Sequence, residues 1–275
     1  MKSVKGYGSY GAFAQVYDTF MDNIPYEQWY AYVKSLLEDY GICGGLVLDL
    51  GCGTGNMTRL MAGDGYDMIA VDNSEEMLMI AREKAMDEDM DILYLLQDMR
   101  AFELYGTVGA VISICDSMNY ILEPEELCTV FRLVNNYLDP GGIFIFDMNT
   151  VYKYRELLGQ NTIAENREDC SFIWDNYYYE DQQINEYELS IFVRDEEDED
   201  CGVQDDYGGE YFVRFKETHY QKAYTLEDVK SLIEQAGMEF VAAYDAFTKN
   251  PVRDNSERMY IIAREKGKKR KEKVI

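Results

Sequence analysis

The chain has a single histidine, His219, and four prolines in 275 residues. Its six cysteines (Cys43, Cys52, Cys115, Cys128, Cys170, Cys201) include no C-x-x-C pair, so a Cys/His zinc site lacks its ligands and no metal is expected. Positive charge is also scarce. Against 52 Asp and Glu stand 26 Lys and Arg, a formal charge of −26. Such a surface repels phosphate backbones and anionic membranes, so neither a nucleic-acid nor a membrane partner is expected. No apolar run approaches the ~20 residues that a bilayer crossing needs. No basic stretch leads into an apolar core and a small-residue cleavage site, and the thiols are scattered, so a reducing, cytoplasmic location is expected. The acidic run Asp195–Asp200 lacks the alternating ligands and turn glycine that calcium requires, and reads as a solvated hairpin tip.

What is present suffices for a large core: 47% of the residues are hydrophobic, enough for one large domain with an insertion or for two small domains. Near the N-terminus, Asp22 and Asn23 before Pro25 divide two short helices, the first with Phe13, Tyr17, Phe20 and Met21 on one face. From residue 46 short apolar strands alternate with helices. The strands are expected at 46–50, 68–71, 92–96, 108–115 and 143–148, the last entered through a turn at Asp139-Pro140-Gly141-Gly142. The helices are expected at 56–62, from Glu75 toward Met86 behind a Ser74 N-cap, and at 124–138. This rhythm predicts an α/β fold: a Rossmann-like, seven-stranded, mostly parallel sheet with helices on both faces.

After residue 150 the rhythm breaks. Segments 172–179, 184–194 and 210–220 are β-branched and aromatic, which fits an inserted antiparallel β meander over about 151–223. Thr225 then caps a helix, with Asp228 at its third position, and strands near 238–244 and 257–263 return to the sheet. The expected organisation is a core of 1–150 with 224–265, the insertion 151–223, and a frayed basic tail, 266–275.

The chemistry is concentrated in Val47-Leu48-Asp49-Leu50-Gly51-Cys52-Gly53-Thr54-Gly55-Asn56. Three glycines stand where a buried strand turns into a helix, so the backbone can bend sharply and a ligand can touch it. A dinucleotide fingerprint requires glycine at position 56, where this chain has Asn56. Asp49 before the bend suits a ligand bearing an ammonium rather than a phosphate. Asp72, about 20 residues beyond the bend at the tip of the second strand, can accept both hydroxyls of a ribose. Asp98 and Met99 follow the third strand, where an acid can take an adenine amino group and a thioether can pack on the ring.

In order and spacing over residues 46–148, VLDLGCGTGN, VDNSEEML, QDMR, ISICDSMNY and LDPGGIFIFDMNT resemble the successive motifs of class I S-adenosylmethionine-dependent methyltransferases. The resemblance implies S-adenosyl-L-methionine as cofactor. It places Asp49 and Gly51 near the methionine moiety, with Cys52, Gly53 and Gly55 in the bend. Asp72, with Asn73 and Met77 beyond it, lies at the ribose, Asp98 and Met99 at the adenine, and Cys115 to Ser117 along the sulfonium side. The segment Tyr10–Met21 is similar to the lid helix of the family's small-molecule branch, in which a tyrosine at the position of Tyr17 approaches the cofactor. The β insertion after the fifth strand also resembles that branch. Tyr120 stands where those enzymes often have a histidine. For the acceptor, an unidentified small molecule methylated on N or O, the candidate catalytic residues are Asp116, Asn119, Tyr120 and His219, the last arriving from the inserted sheet. Two other functions compete: an NAD-linked oxidoreductase on the same scaffold, and a protein that binds the cofactor without catalysis. The oligomeric state is not legible.

Overall fold

The computed structural model describes residues 11–20, 25–194 and 211–268. Two helices come first, α1 (Gly11–Phe20) and α2 (Tyr26–Asp39). The alternating core follows: β1 (Gly45–Leu50), α3 (Asn56–Gly63), β2 (Tyr66–Asp72), α4 (Glu75–Asp87), β3 (Leu93–Leu96), β4 (Val108–Ser113), α5 (Pro124–Tyr137) and β5 (Leu138–Asn149). After an antiparallel excursion come α6 (Leu226–Gln235), β10 (Glu239–Asp245) and β11 (Arg258–Arg264). The main sheet has seven strands in the order β10-β11-β5-β4-β1-β2-β3. β1 pairs in parallel with both β2 and β4, and β11 runs antiparallel between β5 and β10. The order reverses between β1 and β4, so the strand ends there open a crevice, the place where α/β sheets hold ligands.

Both faces of this sheet are covered. On one, Leu48, Val111, Phe144 and Phe146 pack with Phe131 and Val134 of α5 and Val229 and Ile233 of α6. On the other, Val47, Ile112 and Ile145 pack with Val33 and Leu37 of α2 and Met61 of α3. Strands buried on both sides carry near-continuous apolar runs, which is why they stood out in the sequence. The helix caps are as expected. The Ser74 hydroxyl accepts from the Met77 N–H at 3.2 Å, and Thr225 with Asp228 forms a reciprocal capping box.

A second, four-stranded antiparallel sheet joins β6 (Thr162–Asn166), β7 (Cys170–Tyr179), β8 (Ile184–Arg194) and β9 (Phe212–Lys222) in that order. Strand β6 was not expected. It is short and mostly exposed, and only pairing with β7 defines it.

Three other expectations change. Residues Asp139 to Gly142 lie inside β5 as an irregularity: Leu138 already pairs with Val108 before the register shifts at Ala110. The chain leaves β4 at Ser113, and Cys115 and Asp116 adopt left-handed backbone. The basic end is docked as far as it is described, because the Lys268 ammonium donates to the carbonyls of Asn135, Asn136 and Leu138 at the end of α5. A cation there satisfies carbonyls that a helix terminus leaves over. The acidic run Asp195–Asp200, Met21, and the side chain of Phe13 lie outside the described residues. Among the described residues no helix is long and apolar enough to cross a membrane, and no His/Cys/Asp/Glu group could hold a metal.

Candidate active site

At the end of β1 the backbone turns through Gly51, Gly53 and Gly55, with φ of +84°, +54° and +75°. A side chain is excluded at two of them for different reasons. A Cβ on Gly51 would lie 2.8 Å from the Ser117 Oγ, and one on Gly55 would lie 3.0 Å from the Tyr94 hydroxyl. At Gly53 a Cβ would meet nothing within 4 Å, so that glycine presents bare backbone to open space. Gly51 and Gly53 line the cavity, whereas Gly55 turns away from it and closes the bend onto α4.

Two carboxylates flank this bend. Asp72 accepts from the Gly53 N–H at 2.8 Å and the Ser74 N–H at 2.9 Å, which ties the tip of β2 to the glycine turn. Burial raises its pKa, and those backbone donors oppose the rise. Asp49 is almost fully buried and accepts from the Thr58 hydroxyl at 2.6 Å. Burial pushes it up to about 7, partly offset by the Thr58 bond and reinforced by the charge of Asp72. A half-neutralised carboxylate beside bare backbone is a receptor for a cation. It would repel a pyrophosphate.

Asn73, Met77, Met99, Cys52 and Cys115 also line the cavity. Burial holds the Cys115 thiol up at about 12, so it is not a nucleophile at neutral pH. Asp98 lines the cavity as well, but its carboxylate is shared. It pairs with Arg100 at 2.6 Å and accepts from the Arg100 N–H, and Arg100 lowers its pKa. The aspartate thus caps the following turn while facing the cleft.

α1 closes one side of the cavity. Asp18 accepts from the Thr54 hydroxyl at 2.8 Å and the Asn56 amide at 2.9 Å, and pairs with Lys84 at 2.5 Å. That anchor seats Tyr17 with its hydroxyl 4.0 Å from the Cys115 sulfur, and Phe20 edge-on to Phe172 of β7 at 4.7 Å. The helix therefore touches the glycine turn and the inserted sheet at once.

The inner face of the second sheet forms the opposite wall. Tyr187 and His219 are cross-strand partners whose rings stack at 4.9 Å, and the Tyr187 hydroxyl bonds to that of Tyr120. The His219 Nε2 lies 3.1 Å from a Glu217 carboxylate oxygen. Leu189 and Trp174 continue this wall. At its base sits a buried ion cluster. Arg258 pairs with Asp116 at 2.7 Å and with Asp147, and lies over the Trp29 ring at 5.1 Å. Asp116 also accepts from the Gln221 amide at 2.7 Å.

One cavity of about 830 Å³ runs between these walls, toward the upper end of the ~300–1,000 Å³ usual for small-molecule sites. It brings together Tyr17, Asp49, Asp72, Asp98, Cys115, Asp116, Tyr120 and His219. Asn119 does not join them. Fully buried, its amide donates to the carbonyls of Asn149 and Lys222 and accepts from the Asn149 N–H, so it fastens β5 to β9. Sequence reasoning missed Arg258, Glu217, Tyr187, Trp174 and Lys153. A usable signal existed for Glu217 alone, since Glu217-Thr218-His219 places two titratable side chains on one face of a strand. The seat fits the adenosyl compound with an ammonium that the sequence motifs implied, because it offers open backbone at Gly53, an acceptor at Asp72 and a buried carboxylate at Asp49.

Comparison with known proteins agrees with this geometry. Residues 47–142 match the model of a methyltransferase domain family. The putative methyltransferase YqeM of Bacillus subtilis is 32% identical over 255 residues, covering 92% of this chain and 96% of that protein. An S-adenosylmethionine-dependent methyltransferase from Clostridium acetobutylicum superposes with a TM-score of 0.81 at 27% identity, covering 94% of this chain and 99% of the other. The sugar N-methyltransferase KedS8 from a Streptoalloteichus species shares the fold at 18% identity, with a TM-score of 0.72 and coverage of 95% and 97%. None of these matches supports an oxidoreductase or a non-catalytic binding protein.

Proposed function

We propose that this chain, which belongs to the class I S-adenosylmethionine-dependent methyltransferases, delivers the methyl group to a nitrogen or oxygen of a small molecule held between the glycine turn and the inserted sheet. The observation that carries this reading is the single cavity with two unlike walls: carboxylates and bare backbone on one side, aromatic rings with an imidazole on the other. In this reading residues 1–150 with 224–265 form the methyltransferase core, and 151–223 cover the acceptor. Sugar N-methylation, the reaction for which KedS8 is named, belongs to the chemistry such a cavity can take.

When bound, the cofactor supplies a methyl carbon on a sulfonium, open to in-line displacement. Asp49 would face its ammonium, Asp72 the ribose hydroxyls, and Met99 and Asp98 the adenine edge. The chain's further task is to align the acceptor, exclude water and receive a proton. Several groups are unsuited to receive it. Burial pushes the hydroxyls of Tyr17 and Tyr187 well above their usual range, Cys115 stays a thiol, and Asp116 is committed to Arg258 and Gln221. His219 remains, an imidazole on the acceptor wall with its Nε2 beside the Glu217 carboxylate, and an imidazole can take up a proton near neutral pH. Tyr120 and Tyr187 add polarisable faces for positive charge that moves onto an amine product.

The test replaces His219 with Gln. Turnover should fall by ~10²–10⁴, the usual contribution of a positioned proton acceptor, while cofactor affinity measured by calorimetry stays unchanged. Undiminished turnover would refute the assignment, and joint loss of affinity and turnover would point to misfolding instead.

A further inference from the structure

Of the cations that line the cavity, one stands without a direct ion pair among the described residues. The cations lining the cavity are Arg100, Lys153 and Arg258. Arg100 is paired by Asp98 and Glu126, and Arg258 by Asp116 and Asp147. Lys153 has no ion pair among the described residues. It follows β5 in a wide turn at Lys153–Leu158, and its ammonium donates to the Asn149 side-chain oxygen at 3.0 Å. Asn149 is itself buried, so the lysine head is aimed from a fixed support. Burial, with Arg258 nearby, holds the lysine pKa below its usual value, against the opposing charges of Asp116 and Asp147. A desolvated ammonium next to a neutral amide is costly, and an anion placed against it recovers that cost.

In a chain of net charge −26 the long-range field repels anions, so a cation kept inside the cavity acts only at contact. From this arrangement we infer that the methyl acceptor carries an anionic oxygen group, carboxylate or phosphate, that seats on Lys153. The inference rests on the methyltransferase reading above. It narrows the acceptor to small molecules of net negative charge and excludes neutral sugars and simple amines.

The experiment uses the full chain with methyl-tritiated S-adenosylmethionine and the small-molecule fraction of a cell extract. The labelled product should be retained on a strong anion exchanger. Phosphatase treatment separates the two sources: it abolishes retention of a phosphate ester and leaves a carboxylate bound. Lys153→Met should cut labelling tenfold or more while the Kd for S-adenosylhomocysteine stays within twofold, and Lys153→Arg should restore part of it. Circular dichroism melts establish that both variants fold. A product that flows through the exchanger overturns the inference, as does labelling by Lys153→Met at the normal rate. So does weakened S-adenosylhomocysteine binding, which would assign Lys153 to the cofactor's own carboxylate. If S-adenosylhomocysteine binds but no small molecule is labelled, the acceptor reading falls and this inference with it. If S-adenosylhomocysteine fails to bind at all, the cofactor seat is misassigned.

Discussion

In the proposed cofactor seat, Asp49 should make affinity depend on pH in a direction that can be worked out. Its carboxyl, raised by burial to about 7, is ionised in roughly three-quarters of molecules at pH 7.5 and in about 3% at pH 5.5. Only the ionised form attracts an ammonium, and the ligand's own amino group keeps its proton below pH ~8. Affinity should therefore rise with pH, by about 25-fold between 5.5 and 7.5, and then level off. Because the bound ammonium lowers the carboxyl pKa, binding near pH 6.5 should release most of one proton to the buffer. S-adenosylhomocysteine, which bears the same amino acid end, can be titrated calorimetrically in buffers of different ionisation enthalpy to read both quantities.

Two controls isolate the cause. Methylthioadenosine has the ribose and adenine without the ammonium, and its affinity should be flat over the same interval, although Asp72 is also a carboxyl of raised pKa. Asp49→Asn should bind S-adenosylhomocysteine about as weakly at pH 7.5 as the native chain does at pH 5.5. A flat native profile, or the same slope with methylthioadenosine, would refute the pairing of Asp49 with the amino acid end.

The glycine turn offers a contrast within one loop. Gly51→Ala places a methyl 2.8 Å from the Ser117 Oγ at a φ of +84° and should cost about 1–3 kcal/mol in urea denaturation. Gly53→Ala has open space around its methyl and should cost ~1 kcal/mol, while weakening S-adenosylhomocysteine disproportionately. Equal effects on stability and affinity at both sites would contradict the reading of Gly53 as the ligand-facing residue. Arg258→Met strips the partner from Asp116 and Asp147 and should destabilise the fold by about 3–5 kcal/mol at pH 8. The deficit should shrink as pH falls and the stranded carboxyls take up protons, since burial already raises Asp147. A pH-independent deficit measured by denaturant titration would show that the cluster stabilises by packing alone.

The parts of this molecule that could be read from the chain are those whose physics is local. The Ser74 cap, the Thr225–Asp228 box and the bend at Gly51 each involve groups a few residues apart, and each is where the sequence places it. Asn119 shows where local reasoning stops. A polar side chain after the fourth strand looked available to an acceptor, yet its partners lie 30 and 103 positions away and consume its amide. Lys268 is similar: composition suggested a loose tail, and only α5, some 130 residues earlier, supplies the carbonyls that hold it.

The two walls of the cavity divide along the same line. The donor wall centres on one strand–turn–helix unit plus the tip of the adjacent strand, so most of its chemistry is written within about 25 residues, from Asp49 to Asp72, with Asp98 and Met99 just beyond the next strand. The acceptor wall is made of cross-strand pairs and long-range ion pairs, such as Tyr187 with His219 and Asp116 with Arg258 across 142 positions. Its composition depends on register. A one-residue slip of β9 would move Glu217 and His219 to the opposite face of the sheet and part His219 from Tyr187, changing the chemistry of this wall without touching a single motif. On the proposed reading, acceptor specificity can therefore drift while the donor site stays put, and the residues that would decide it lie in the pairing of β7, β8 and β9 and in the turn that carries Lys153.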